Sequence, residues 1–127
     1  MRKIVLCVAI AALALVPASM AGAKDGDIIR EGSCSGASDW KLKLSPENGR
    51  IEVEYEIDRN VNGDDWRVTL KLNGERFFRG IRTTADPSGS FEVNRRIDNG
   101  PGEEHVTARA RNLSTDEVCG GSATWTK

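Results

Sequence analysis

Two runs of strictly alternating residues lie in the stretch 50–73, RIEVEYEIDRNVNGDDWRVTLKLN. Apolar residues alternate with acidic ones in 51–58 and with basic or polar ones in 66–73. Because successive side chains of a β-strand point to opposite faces, each run predicts a strand with one apolar face and one charged or polar face. The residues between the runs, 59–65, include Asn62-Gly63 and are typical of a turn. Each predicted strand needs an apolar surface to pack against, which restricts the chain to folds with a shared core.

Five further segments are predicted as strands because they are short, rich in alternating apolar residues and separated by turn residues such as Pro, Asn and Gly. These segments are 40–44, 76–84, 91–97, 106–110 and 118–125. The segment 76–84 alternates poorly and leaves open whether Phe77 or Phe78 faces inward. Arg95 interrupts the apolar positions of its strand, and we expect it at the rim. Seven strands without a helical period predict an all-β fold, a single seven-stranded antiparallel β-sandwich.

The N-terminal stretch has the three parts of a secretory signal peptide. It begins with basic residues in 1–3, continues with an unbroken apolar run in 4–16, and ends with small residues in 21–23. The run is shorter than the roughly 20 residues that span a bilayer, so an uncleaved membrane anchor is the less favoured alternative. We expect a signal peptide at 1–23, a flexible N-terminal arm at 24–38 and a β-sandwich domain at 39–127, with the mature protein secreted.

Two cysteines follow the predicted cleavage site, Cys34 and Cys119. In an oxidising compartment an even number of cysteines predicts a disulfide, and no Cys-x-x-Cys motif or histidine cluster offers a metal site instead. We expect a bond between Cys34 and Cys119, with two free thiols as the alternative. The chain carries 18 Lys and Arg against 19 Asp and Glu, and removal of Arg2 and Lys3 makes the mature form more acidic. This balance does not favour general nucleic-acid binding.

The predicted seven strands, with Trp66 on the third, resemble immunoglobulin and fibronectin type III domains, which implies an immunoglobulin-like sandwich. In immunoglobulins the paired cysteines lie on the second and sixth strands, whereas Cys34 precedes the first predicted strand and Cys119 lies in the seventh. The resemblance therefore extends to the fold and not to the antibody-type family. The run SDWKLKLSPENGRIEVEYE, with the Asn-Gly turn and Trp66, also resembles small secreted actinomycete proteins of uncharacterised function. That resemblance implies a lone exported sandwich and no known activity.

The turn that begins at Asp58 fits Asp-x-Asn-x-Asn-Gly, the opening of a calcium loop that spaces oxygen ligands around a glycine bend. The candidate ligands are Asp58, Asn60, Asn62 and Asp64, with Asp65 as a possible substitute. Such loops use a bidentate Glu at the twelfth position, which is Thr69 here, and they lie between helices rather than strands. The alternative is an ordinary turn, because Asn, Asp and Gly are common turn residues. We therefore expect no cofactor, with calcium as the alternative.

His105 is the only histidine of the chain. Its parity with Thr107 and Arg109 places it on the polar side of its strand, and no hydrolase motif accompanies it. We therefore expect that the protein is not an enzyme. The alternative, a small hydrolase that uses His105, needs a concave pocket in which His105 reaches a Ser or an Asp.

The charged residues predict two different outer faces if the strands follow sandwich order. The first, second and fifth predicted strands then share a sheet whose outer face carries charges of both signs that largely neutralise one another, through Lys41, Lys43, Glu52, Glu54, Glu56, Glu92 and Arg96. The other sheet, built around the third and sixth predicted strands, presents basic residues with no acid between them. They are Arg67, Lys71, His105, Arg109 and Arg111, flanked by Arg76, Arg79 and Arg82.

A basic outer face predicts a binding role, because the planar fork of arginine suits carboxylate and phosphate groups. We expect a secreted, monomeric binding or interaction module for an anionic cell-envelope polymer or an acidic protein. No nucleic-acid partner is expected, and no membrane association after signal cleavage. A basic face that provides only solubility is the alternative.

Overall fold

The computed structural model describes residues 25–126, which form eight antiparallel strands and no helix. The strands are β1 (Ile28–Ser33), β2 (Asp39–Glu47), β3 (Arg50–Asp58), β4 (Asp65–Leu72), β5 (Glu75–Thr83), β6 (Ser90–Asp98), β7 (Glu103–Asn112) and β8 (Val118–Thr126). Sheet I has the order β1-β2-β3-β6, and sheet II has the order β5-β4-β7-β8. The predicted all-β, two-sheet fold is confirmed. The predicted signal peptide, 1–23, lies outside the described residues.

The strand count is eight and not the predicted seven, because β1 was not recognised. It lies within 24–38, the stretch for which we expected a flexible arm, and pairs with β2 from Ile28 opposite Leu44 to Ser33 opposite Asp39. The segment IIREGS does not alternate, so its sequence carries no period of two. Pairing with β2 therefore makes it a strand where its own pattern does not.

The core lies where the apolar sides of the two sheets meet, and the strict alternation of β3 and β4 supplies its centre. Tyr55 and Trp66 are the largest fully buried side chains, and the Trp66 ring lies 6.3 Å from that of Phe91. The Tyr55 hydroxyl donates a hydrogen bond of 3.0 Å to the carbonyl oxygen of Cys119, which links sheet I to sheet II. The predicted sandwich order is also confirmed, since β2, β3 and β6 share a sheet.

A bulge explains why β5 alternates poorly. Opposite β4, the register passes from Leu70 facing Phe78 to Lys71 facing Arg76, so Phe77 is an extra residue without a partner. Both Phe77 and Phe78 are half-buried and pack against the core, which answers a question that the alternation left open.

Arg95 lies at the edge of the sandwich, as its place in the sequence predicted. Its guanidinium carbon is 4.4 Å from the centre of the Phe78 ring, and that of Arg82 is 5.0 Å from the same centre. Both distances fall within the range of cation–π attraction. The two arginines therefore cover Phe78 between β5 and β6.

The predicted disulfide is confirmed. Cys34, just after β1, is bonded to Cys119 of β8 across a sequence separation of 85, with the Cα atoms 4.3 Å apart. In the chain-entropy model a loop of this length stabilises the folded state by about 4 kcal/mol. Close packing reinforces the bond, because a Cβ atom at Gly121 of β8 would overlap the ring of Trp40 of β2. The β1–β2 side of sheet I is thus held firmly against β8.

A buried carboxylate holds the loop that carries Cys34. One oxygen of Glu117 accepts hydrogen bonds from the backbone N–H groups of Gly36 (2.9 Å) and Ser38 (2.8 Å), and the other accepts one from the Ser38 hydroxyl (2.9 Å). The guanidinium of Arg59 lies 3.6 Å from the same carboxylate, whose side chain is 5% exposed. A buried charge is tolerated only when its hydrogen-bonding capacity is filled in this way.

Replacement of Glu117 by Ala should lower the free energy of unfolding by about 3 kcal/mol, because the buried N–H and hydroxyl of Ser38, the half-buried N–H of Gly36 and the Arg59 guanidinium lose their acceptor. Urea denaturation measures this loss. Glu103→Ala is the matched control, since it makes the same change at an exposed position of β7, and should cost no more than about 0.5 kcal/mol. Equal losses in the two variants would contradict a stabilising role for the buried carboxylate.

Tyr55 is the only tyrosine of the chain, so its ionisation can be followed directly. Burial raises the pKa of Tyr55 above its ordinary value of about 10. The folded state holds the phenol proton more tightly than the unfolded state does. The resulting stabilisation is complete below the unfolded-state pKa of about 10, and it is lost as pH rises above that value. In an alkaline titration, phenolate absorbance should therefore appear together with loss of the β-sheet circular dichroism signal. Phenolate formation near pH 10 in a protein that retains that signal would show that Tyr55 is accessible.

Candidate functional site

Four arginines converge on the outer face of sheet II. On β4, Thr69 lies opposite Arg79 of β5 on one side and Arg109 of β7 on the other, and its strand neighbour Arg67 lies opposite Arg111 of β7. These five residues line a depression of about 200 Å³, which we call the arginine depression. Alternation places them there, since residues two apart on β4 and β7 share a face.

A second depression of about 450 Å³ adjoins the first and shares Thr69 and Arg109 with it. Its lining adds Lys71 and Thr107 and reaches Gly120 of β8. A Cβ atom at Gly120 would meet nothing closer than a backbone oxygen at 4.0 Å, so the absence of a side chain leaves open space. The two depressions together form a trough that crosses sheet II from β5 to β8, and we refer to it below as the basic trough.

The charge of the trough is largely uncompensated. Within residues 25–126, none of the ion pairs involves Arg67, Arg79 or Arg109. The sequence predicted that no acid would lie among these basic residues. Arg111 is an exception, because its guanidinium lies 2.6 Å from the exposed carboxylate of Asp116. Arg67 and Arg111 lie opposite each other on neighbouring strands, and like charges in such positions destabilise a sheet. An anion bound between them would relieve that repulsion.

The two remaining arginines of the predicted basic face lie on either side of the β5 bulge and therefore on opposite faces of the strand. Arg76 lies opposite Lys71 and is exposed beyond the trough. Arg82 lies opposite Trp66, on the side that faces sheet I, where it stacks on Phe78. A bulge exchanges the two faces of a strand, and simple alternation cannot anticipate that exchange.

His105 is exposed on β7, and its side chain contacts β8. Its Nδ1 lies 2.7 Å from the hydroxyl oxygen of Thr124, while its backbone N–H donates to the side-chain oxygen of Asn73 at 2.9 Å. The residues that line the trough do not include it. The hydrolase alternative required His105 to reach a Ser or an Asp, and its side-chain partner in the described part of the chain is a threonine. These contacts hold the β4–β5 turn and β8 against β7.

Ion pairs link neighbouring strands on the outer face of sheet I, where the sequence predicted residues of both charges. Lys43 and Glu54 are 2.8 Å apart, and Arg96 lies 3.9 Å from Glu52. Hydrogen bonding to Glu54 raises the pKa of Lys43. Burial, followed by the negative charge of Glu54, raises the pKa of Glu92. Acids are in excess on this face, because Glu31, Asp39 and Asp58 also lie on it, so the prediction that its charges largely neutralise one another is wrong.

Several of the candidate calcium ligands already form hydrogen bonds with other residues of the protein. The Asp64 carboxylate accepts from the Arg59 guanidinium at 2.7 Å and from the Asn112 side-chain amide at 3.0 Å. The hydrogen bond from Arg59, and then that from Asn112, lowers the pKa of Asp64. Asp65 accepts from the Thr83 hydroxyl at 2.5 Å.

Of the remaining candidates, Asn62 donates to the Asp86 carboxylate, while Asp58 and Asn60 are exposed. Residues 25–126 contain no group of three or more His, Cys, Asp or Glu placed to hold a metal ion. The arrangement fits a turn held by Arg59 and Asn112, and calcium binding stays a prediction.

Thermal unfolding in calcium and in chelator tests that alternative. We expect the same midpoint in both conditions, because Arg59 already supplies the positive charge next to Asp64. A cation that binds only the folded state stabilises it by mass action. A midpoint several degrees higher in calcium, and unchanged in magnesium, would instead support a calcium site in the 58–65 turn.

No protein-family model matches the chain, and no curated protein matches it. No segment of residues 25–126 forms a helix long and apolar enough to cross a membrane. Among solved structures, the chain is similar to chicken MD-1 in its complex with lipid IVa, with 13% sequence identity and a TM-score of 0.37. The similarity covers 82% of this chain and 93% of that one. At this score the similarity does not bear on function, which must be argued from the surface of the molecule itself.

Proposed function

We propose that this chain is an exported, non-enzymatic binding module that holds an anionic polymer of the cell envelope in its basic trough. The observation that carries the proposal is the arginine depression, in which four guanidinium groups surround Thr69 and three of them have no ion-pair partner within residues 25–126. Arginine forks bind phosphate and carboxylate groups through paired, charge-assisted hydrogen bonds.

The shape of the trough favours an extended ligand over a compact one. It crosses four strands, which at a spacing of about 4.8 Å corresponds to a length of about 14 Å. Its cations are distributed along that length, with Arg79 on β5, Arg67 on β4 and Arg109 on β7. A polymer with repeating negative charges would engage several of them at once, which raises avidity without any new kind of contact.

The composition of the lining supports binding rather than catalysis. Among the described residues that line the trough there is no carboxylate, imidazole or thiol, the groups that most often transfer protons or attack substrates. Its hydroxyl groups belong to Thr69 and Thr107 and can donate hydrogen bonds to an anion. The contact is thus electrostatic and should weaken with salt, since screening acts strongly on exposed charges.

The double variant Arg79→Gln/Arg109→Gln should lose retention on immobilised polyphosphate at low salt. Each charge-assisted hydrogen bond contributes about 1.5–3 kcal/mol, which is about tenfold or more in affinity per arginine. The matched control is Arg30→Gln/Arg50→Gln, which removes the same charge from exposed positions of sheet I and should bind like the original protein.

Parallel columns of polyphosphate and polyglutamate separate the two kinds of partner. Retention that is stronger on polyphosphate supports the envelope polymer, whereas retention on polyglutamate alone would favour an acidic protein instead. Equal loss in both double variants, or retention unaffected by salt, would contradict a specific role of the trough.

A further inference from the structure

The two outer faces of the sandwich carry opposite charges. The sheets pack through their apolar sides, so the basic trough of sheet II and the outer face of sheet I lie on opposite sides of the molecule. Acids outnumber bases on sheet I, and we call this surface the acidic face. Its acids are Glu31, Asp39, Glu47, Glu52, Glu54, Glu56, Asp58, Glu92 and Asp98, and its bases are Lys41, Lys43, Arg50 and Arg96.

The acidic face is concave at one end. A depression of about 440 Å³ there is lined by Glu31, Asp39, Glu56 and Asp58, beside Lys41 and the ring of Trp40. Asp39 and Asp58 lie directly opposite each other on β2 and β3. A single chain gains nothing from that juxtaposition, because like charges across strands repel.

The same kind of repulsion recurs along the acidic face. Glu56 of β3 lies opposite Glu92 of β6. Burial, followed by the negative charge of Glu54 and then that of Glu56, raises the pKa of Glu92. On the other side of the molecule, Arg67 and Arg111 repeat the arrangement with positive charge. Each face would therefore be stabilised by contact with a surface of the opposite sign.

We propose that a second copy of this chain is such a partner, so that the acidic face of one molecule docks on the basic trough of the next. Both surfaces are the outer faces of four-stranded sheets and have similar widths. The formal net charge of the full chain is −1, and the predicted mature form, which lacks Arg2 and Lys3 and so has 16 Lys and Arg against 19 Asp and Glu, has a charge of −3. This charge is small, so whole copies repel one another weakly while their faces attract. Because two different surfaces meet, the contact is heterologous and adds molecules head to tail without closing.

Docking of a second copy and binding of a polyanion use the same trough, and they exclude each other. This inference does not need the proposed function to hold, since the partner is the chain itself. The sequence predicted a monomer, and under this inference the protein is monomeric only at high salt. A polyanion should then dissociate the head-to-tail assembly.

Sedimentation velocity tests the docking with two variants that each lose one face. Arg79→Gln/Arg109→Gln weakens the trough, and Asp39→Asn/Glu92→Gln weakens the acidic face while removing two repulsions. At about 10 mM salt, where the Debye length is about 30 Å, the original protein should form oligomers that grow with protein concentration. At about 1 M salt it should be monomeric.

Each variant alone should be monomeric at low salt, and an equimolar mixture should form a 1:1 dimer and nothing larger, because the mixture has one intact face of each kind. A monomeric original protein at low salt would overturn the inference, as would either variant assembling alone or a mixture that stays monomeric. The acidic-face variant should keep its retention on polyphosphate. If the original protein is monomeric but retained, the head-to-tail contact is wrong and the proposed function stands.

Discussion

Burial of alternate residues along β3 and β4 is the constraint on which the rest of the structure depends. Each fully buried large apolar side chain contributes about 1.5–3 kcal/mol, and Tyr55 and Trp66 place the largest of them at the centre of the core. A period of two fixes the opposite side of each strand as well, because a slip of one residue would bury the charges. The same pattern that builds the core therefore assigns Arg67 to one exterior and Glu56 to the other.

Covalent and noncovalent contacts hold the two sheets together where sheet I meets β8. The Cys34–Cys119 bond, the packing of Trp40 on Gly121 and the hydrogen bonds to Glu117 all hold that region together. The arginines of the basic trough lie on the paired strands β4, β5 and β7, at the outer face of sheet II, and not on loops. A surface that is already ordered loses little entropy when it binds, which favours recognition of an extended anion.

Much of the fold could be predicted from the sequence, because its strongest signals are local. Alternation in β3 and β4, turn residues between the strands and the even cysteine count predicted the two-sheet architecture and the disulfide. Features that depend on distant residues were missed. β1 is a strand only because β2 offers its edge, and the bulge at Phe77 changes which way Arg82 points. The acceptor role of Glu117 needs partners about eighty residues away, as the bond from Ser38 shows.

The candidate site was predictable in part for the same reason. The parity of Arg67 and Arg109 placed both on one face, whereas the arrangement of Arg79 beside Thr69 depends on the bulge, and the ion pair of Arg111 with Asp116 depends on a turn. Alternation assigns a residue to a face, but tertiary pairing decides which neighbours it has there. Convergence of four arginines in one depression is therefore a structural observation and not a sequence pattern.

The central claim, that an anionic polymer is held in the basic trough, is tested most directly by nuclear magnetic resonance. Titration of the labelled protein with short polyphosphate should shift the side-chain Nε–H signals of Arg67, Arg79 and Arg109 and the backbone amide of Thr69. The signals of sheet I, such as those of Lys43, should stay in place. Shifts that are spread over both sheets, or that are confined to sheet I, would contradict the claim.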